Sequence, residues 1–311
     1  MIAMQKRVLV LGEALIDVVV RPGVEPVEHP GGSPLNVAVG LARLDHGVDL
    51  ATWFGRDDRG DRLHELIESS GVGLVKGSDD AVATPIALAN VDDEGRASYV
   101  FELEWRLPEL DAEQLAAYGH LHTGSFAATL APGADEVARA VAVARDHATF
   151  SYDPNIRPAL MGAPGLVRDR VEQLVAAADV VKVSDEDLAW LYPDTIEDNV
   201  IRDWAGSGPA LVVVTRGPEP VKAMLARDGE LRLVERPPVE VADTVGAGDS
   251  FMAGLVSALL DAGHLGSREA AAALRAASWD QLSSAVEQGI ATSGITVGQA
   301  GAYAPTRLEL V

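Results

Sequence analysis

The stretch Asp243-Thr244-Val245-Gly246-Ala247-Gly248-Asp249-Ser250-Phe251-Met252-Ala253-Gly254-Leu255 holds the most chemistry in the chain. A loop of small residues runs into an apolar helix that begins near Gly246. Glycines there let backbone N–H groups approach a ligand closely. The start of a helix adds partial positive charge, so the place suits an anion. Asp249 falls in the first turn, beside that anion site. A carboxylate so placed can take a proton from an attacking hydroxyl while the amides hold a transferring phosphoryl group. The plain alternative is a glycine-rich turn in which Asp249 only favours the helix dipole. The segment has neither the Lys-Ser/Thr ending of a P-loop nor the spacing of a dinucleotide fingerprint.

Other stretches place polar groups where a ligand could meet them. Gly12-Glu13-Ala14-Leu15-Ile16-Asp17 sets Asp17 in an otherwise apolar run. Gly31-Gly32-Ser33-Pro34 opens a helix, with Ser33 as its N-cap, Pro34 at the first helical position and Asn36 just inside. Asp153-Pro154-Asn155-Ile156-Arg157-Pro158 follows a strand end, where open α/β sheets bind ligands. Its bland reading is a turn with a surface ion pair worth ~0–1 kcal/mol. Ser184 and Asp187 have the spacing of a near capping box.

The elements that must position these groups alternate. Residues 7–11 and 14–20 read as strands, then a helix runs from Ser33 to about Leu44. Val48–Phe54 reads as a strand and Asp58–Ser70 as a helix. Residues 85–91 and 97–103 read as a hairpin turning at Asp92-Asp93-Glu94-Gly95. With 14–20 this hairpin forms a small separate sheet. Beyond Leu110 helices 111–118, 132–146, 164–178 and 184–192 alternate with strands 119–123, 149–153, 179–183 and 210–215. Two short strands follow near 220–226 and 230–234. That rhythm predicts an α/β fold, a mostly parallel sheet with helices on both faces. Aromatics make up only 5% of the residues, and the Ala, Val and Leu that dominate instead suit such a sheet.

With 47 acidic and 25 basic residues, the net charge of −22 repels phosphate backbones and anionic lipid. Nucleic acid and membrane are therefore excluded as expected partners. Any positive field for an anionic substrate must be local. The absence of cysteine removes disulfides, thiolate metal sites and thiol nucleophiles. Glu13 and Asp17 interrupt the apolar N-terminal run, and no other run approaches ~18 uncharged apolar residues, so a cytoplasmic location is expected.

Asp243 to Leu255 resembles, almost residue for residue, the C-terminal signature of the PfkB, or ribokinase-like, carbohydrate kinases. Gly31-Gly32-Ser33-Pro34-Leu35-Asn36-Val37-Ala38 resembles their N-terminal signature. The resemblance spans essentially the whole chain. It implies a ribokinase-like three-layer sandwich, one domain over residues 1–311, with a β-sheet lid built from about 13–30 and 84–107. It implies that Asp249 is the catalytic base and that Val245 to Gly248, with Gly246, Ala247 and Gly248 at the centre, form an anion hole. In comparable oxyanion sites one such donor is worth ~3–4 kcal/mol. Asp17, Gly31, Gly32, Asn36 and Arg157 would meet the sugar. Lys182, Thr215, Gly217, Thr244, Gly246 and Gly248 would meet ATP, and Asp153 would join a polar network around the metal. Mg2+ accompanies ATP in this family, with Glu186 or Asp187 orienting its water. A monovalent cation such as K+ has a family site near Ala300-Gly301-Ala302. Lids of this family often pair, which implies a homodimer through the lid. Trp105, after the hairpin, has core packing as its default, with that interface or the face of the sugar as the alternatives.

Asp-Pro-Asn-x-Arg, together with Gly-Glu-Ala-Leu-Ile-Asp, makes fructose the leading substrate for phosphorylation of a primary hydroxyl. The alternatives are 2-keto-3-deoxygluconate or a ribokinase-type substrate. A different class of reading, a sugar-binding regulator on the same fold, should have lost the base or the anion hole, and both are intact. An oxidoreductase would need a Gly-x-Gly-x-x-Gly after the first strand, where Gly12-Glu13-Ala14 stands instead.

Overall fold

Val8 and Val10 of strand β1 (Arg7–Leu11) belong to one hydrophobic core, and Leu9 and Leu11 to another. Successive side chains of a strand point to opposite faces, so β1 is buried on both. Such a strand needs a helical layer on each side, and the rest of the chain supplies them. The computed structural model describes residues 7–91 and 97–310. After β1 come β2 (Leu15–Arg21), β3 (Val24–Gly31), α1 (Ser33–Arg43), β4 (Val48–Ala51), α2 (Asp58–Ser69), β5 (Gly73–Leu74), β6 (Ile86–Val91) and β7 (Ala97–Glu102). Next are α3 (Ala112–Leu115), β8 (Tyr118–Gly124), α4 (Gly133–Ala144), β9 (Thr149–Asp153), α5 (Pro158–Met161), α6 (Pro164–Ala177), β10 (Val180–Ser184), α7 (Asp185–Leu191) and α8 (Glu197–Ser207). The chain continues through β11 (Leu211–Arg216), β12 (Glu219–Leu225), β13 (Leu231–Val234), α9 (Ala247–Asp261), α10 (Arg268–Ala276) and α11 (Trp279–Val297).

The large sheet has the order β13-β12-β11-β10-β9-β8-β1-β4-β5. It is parallel from β5 to β11, and β12 and β13 are antiparallel additions. Helices α1, α9 and α11 cover one face, and α4, α6 and α8 the other. Helix α9 is the buried member of the first layer. Phe251, Met252, Leu255, Val256 and Leu259 are all sealed from solvent, each worth ~1.5–3 kcal/mol of transfer. That packing anchors the helix whose first turn carries Asp249. The strand order reverses beside β1: the chain runs outward through β4 and β5, then returns to β8 on the other side. Ligands of open α/β sheets gather at the carboxyl ends of strands at such a switch point.

A second sheet, β3-β2-β6-β7, stands apart from the first. Glu28 on β3 receives Arg59 and Arg62 from α2, which ties this sheet to the body. At its root Asp57, the N-cap of α2, accepts from Gly60 N at 2.9 Å and from Thr84 N at 2.8 Å. Among the described residues no helix is long and apolar enough to cross a membrane.

Several expected boundaries change. The strand expected over 48–54 stops at Ala51, because Phe54 leaves the ladder to pair with the segment at Ser78 and Ala81. The helix expected over 111–118 shrinks to α3, capped by Asp111, because Tyr118 already belongs to β8. Strand β3 was readable only as part of the lid segment. The turn expected at Asp92 to Gly95 lies outside the described residues. Trp105 is buried, with Nε1 donating to Ala127 O at 3.0 Å and its ring edge-on to Phe126, which is the core packing expected of it.

Candidate active site

Asp249 sits in the first turn of α9, 7% exposed. Gly246 caps the helix with φ 74°, a left-handed conformation that glycine adopts without strain. A Cβ there would stand 2.7 Å from Ala302 Cβ, so the 300–302 turn backs the loop closely. Asp243 braces the same place, its carboxylate accepting from Val245 N at 3.1 Å and Gly301 N at 2.9 Å. Those amide bonds hold its pKa below the usual carboxylate range. The amides of 246–248 thus start a helix on a rigid loop, the arrangement an anion requires.

The two glycine-bearing motifs meet at the carboxylate. Ser33 Oγ donates to Asp249 Oδ1 at 2.7 Å and Asn36 Nδ2 donates to Oδ2 at 2.8 Å. One expectation changes here. Ser33 is not the N-cap of α1: Gly32 is, with no side-chain cap, and the freed hydroxyl serves the aspartate. Asn36, expected to meet the sugar, directs an amide hydrogen at Asp249. Asn155, held at φ 38°, adds a longer contact of 3.4 Å to Oδ1. Arg157 Nη1 in turn donates to Asn155 Oδ1 at 2.7 Å.

Beneath the loop lies a buried ion pair. Lys182 Nζ donates to Asp153 Oδ2 at 2.9 Å, with side chains 4% and 0% exposed. A Cβ on Gly248 would lie 2.8 Å from that Nζ, so the ammonium stands directly under the proposed anion hole. Burial pushes Asp153 up to about 6 although Lys182 opposes it. For Lys182 burial works the other way, but Asp153, Asp249 and Asp187 outweigh it and hold its pKa above the usual lysine value. The directions differ because each group faces a different sum of neighbours. A charged ammonium at 2.9 Å makes this an ion pair at neutral pH.

On the lid side, burial pushes Asp17 up to about 6, with Arg157 and His29 pulling the other way. Gly31 pairs with Leu15 across the β2–β3 ladder, two residues from Asp17 on the same strand, and any Cβ at Gly31 would collide with Asp17 Oδ2. Gly32 has φ 114° and a Cβ there would collide with the carbonyl of Glu13. We expect Gly32→Ala to destabilise the chain by at least about 2 kcal/mol, from φ strain plus overpacking. Urea unfolding measures this, and a change under 0.5 kcal/mol would mean the turn simply relaxes.

The nucleotide-side residues are less gathered. Thr215 ends β11, and its Oγ1 donates to Val183 O at 3.4 Å. Gly217 follows at φ 51°, its carbonyl accepting from Arg236, which also reaches Ser293 on α11. Thr244 lies in the loop before α9, its carbonyl accepting from Ala247 N at 3.3 Å. Asp187 spends its carboxylate on Ile156 N at 3.0 Å and on the capping box with Ser184, while Glu186 is exposed. Among the described residues no three His, Asp or Glu side chains cluster as a metal cage. The sequence reading did not assign site roles to Ser33, Glu13 or Asn155. Only the fold shows that their strand and helix ends converge.

The pfkB family carbohydrate kinase model matches residues 5–308. A fructokinase from Klebsiella pneumoniae is 32% identical over 264 residues, covering 82% of this chain and 85% of that protein. The crystal structure of fructokinase with bound ATP from Xylella fastidiosa matches with TM-score 0.84 and 25% identity, over 99% of this chain and 97% of that one. A double-mutant fructokinase from Vibrio cholerae O395, in a fructose, ADP and potassium ion bound form, matches with TM-score 0.79 and 25% identity, over 98% and 97% of the two chains. Asp249, the amide loop and the paired motifs therefore stand in a shared architecture, and the chain belongs to the pfkB family of carbohydrate kinases.

Proposed function

We propose that this chain transfers the γ-phosphoryl group of ATP to a primary hydroxyl of fructose. The observation that carries the reading is Asp249, held by Ser33 and Asn36 at the mouth of α9. A sugar hydroxyl in the crevice above β1 and β8 would hand its proton to Asp249 as its oxygen attacks the γ-phosphorus. The amides of 246–248 and the Lys182 ammonium beneath them stabilise charge on the phosphoryl oxygens. Asp17, Gly31, Gly32 and Arg157 fit sugar contacts, since all lie near the lid side of the cleft. Lys182, Thr215, Gly217 and Thr244 fit the nucleotide side.

The donor set fits a Mg2+ that arrives with the nucleotide, because Mg2+ is commonly held by one or two carboxylates plus phosphates and keeps several waters. Glu186, exposed beside the cap of α7, is the carboxylate free to orient such a water, whereas Asp187 is committed to the backbone. Bound Mg2+ would neutralise phosphate charge. The 300–302 turn against the α9 loop is where a K+ would act. In this reading residues 1–311 form one unit, and the lid closes over the sugar to exclude water. A homodimer through the lid accords with exposed Val24 and Val27 on β3.

A coupled ADP-release assay with Mg-ATP and a panel of fructose, 2-keto-3-deoxygluconate and ribose tests the substrate. We expect kcat/KM for fructose to exceed that for the others by at least about tenfold, roughly the discrimination that one or two pocket contacts supply. Higher turnover of 2-keto-3-deoxygluconate would replace fructose as the substrate. No sugar-dependent ADP release at all would overturn the kinase reading.

A further inference from the structure

Glu13 is a carboxyl group that the phosphoryl transfer described above does not use. It follows β1, is 3% exposed, and its Oε2 has no hydrogen-bond partner among the described residues. The β1–β8 register, Leu11 opposite Thr123, carries forward to set Glu13 opposite Ser125. Ser125 is 1% exposed, adopts φ 54°, and its Oγ also lacks a partner. Its hydroxyl lies near enough to favour the ionised acid slightly, short of a well-formed hydrogen bond. Gly32 packs against the Glu13 carbonyl and keeps the residue from swinging outward. A carboxylate needs two or three donors to be tolerated in such a place, and Glu13 has only its own backbone N–H and the nearby Ser125 hydroxyl, with Oε2 left bare.

The charged groups facing Glu13 come from separate elements. Arg157 stands on the loop after β9 and Asp249 at the head of α9. Asp17 on β2 shares both of those neighbours. Lys182 and Asp153, from β10 and β9, are spent on one another. Among the described residues Arg157 is therefore the cation that acts on Glu13, and its Nη1 is bound to Asn155, which touches Asp249. An ionised Glu13 would compete for that guanidinium and slacken the chain Arg157–Asn155–Asp249.

We propose that Glu13 is a positioning residue of the phosphoryl transfer that works uncharged, leaving Arg157 on Asn155 and so holding Asp249 in place. Burial is the main reason it stays uncharged: it pushes the carboxyl up to about 8, and Asp249 adds to this while Ser125, its own backbone N–H and Arg157 oppose it. Carboxylic acids kept neutral by their surroundings serve other active sites in the same state. The inference rests on the kinase reading for its kinetic consequence but not for the protonation state.

The test pairs two readouts. Selective 13C labelling of glutamate carboxyls, with Glu13 assigned by its loss in Glu13→Gln, follows protonation in the free protein without any turnover. A midpoint near 8 is expected, and a midpoint in the ordinary range of about 4–5 overturns the proposal. Sugar-dependent ADP release is then followed from about pH 6.5 to about pH 9.5. The wild type is expected to lose turnover roughly tenfold on the alkaline side, and Glu13→Gln, a permanently neutral mimic, is expected to lack that limb. Glu13→Ala is expected to lose at least about tenfold in kcat at pH 7, with Glu13→Gln restoring most of it. An unchanged alkaline limb in Glu13→Gln, or Glu13→Gln as poor as Glu13→Ala at pH 7, overturns the role. If no sugar is turned over, the carboxyl titration still decides the protonation state, and the kinase reading alone fails.

Discussion

Asp249→Asn is expected to lower kcat roughly 10²–10⁴-fold while KM for sugar and for ATP changes little. The amide keeps the size of the carboxyl and can still accept from Ser33, so the cleft keeps its shape. What disappears is the side chain proposed to take a proton from the attacking hydroxyl. The anion hole survives, because its donors are backbone amides and the Lys182 ammonium. Residual turnover should come from that electrostatic part alone. Calorimetry on the variant with ATP should show binding retained. Turnover within threefold of wild type would remove Asp249 from its role, and loss of ATP binding would mean that the loop itself had moved.

Lys182→Met should have the largest effect on stability. It strips the ammonium from Asp153, which is 0% exposed and, among the described residues, has no other ion-pair partner and one unpartnered oxygen. Breaking a buried pair from one side typically costs ~3–5 kcal/mol, because a bare charge is left inside. Asp153 can evade part of that cost by holding a proton. Its folded pKa, about 6 with the lysine present, would rise further without it. An acid whose folded pKa lies above its unfolded value stabilises the fold below the unfolded value and loses that contribution as pH rises through the folded one. The penalty should therefore be small up to about pH 6, where Asp153 holds a proton with or without the lysine, and grow by up to ~1.4 kcal/mol per pH unit above that. Urea unfolding at several pH values measures this, and Asp153→Asn in the same chain should recover much of the loss. A penalty that does not depend on pH would mean Asp153 is not the group left stranded. ADP release should fall as well, since the ammonium supports the amide loop from below.

The parallel strands other than the two-residue β5 were legible because each is a short apolar run ended by glycine or a polar residue, as in Val180–Ser184 and Leu211–Arg216. Helix α9 was legible from its glycines and the apolar run after them. Strand β3 was not, because it lies in the lid, is mostly exposed and contains Pro26 and Pro30. A strand that buries little carries no period-2 signal. Helices α8, α10 and α11 were also not singled out. Asp249 could be named from its motif, but its supports could not. Ser33 looked like a cap because serine before proline usually is one. Its hydroxyl has another partner only because α1 and α9 lie side by side. Glu13 gave no signal in sequence beyond an acid among apolar residues, and its isolation appears only once β8 is placed beside β1.

The donors that grip Asp249 stand 216 and 213 residues earlier in the chain. Contacts so remote in sequence form late, since closing long loops costs entropy before the contact repays it. A ribosome-bound chain that has not yet released α9 can fold β1, α1 and β4 but cannot yet hold a competent base. Activity should therefore appear only after synthesis of the last third, and in refolding it should lag behind the recovery of helical signal.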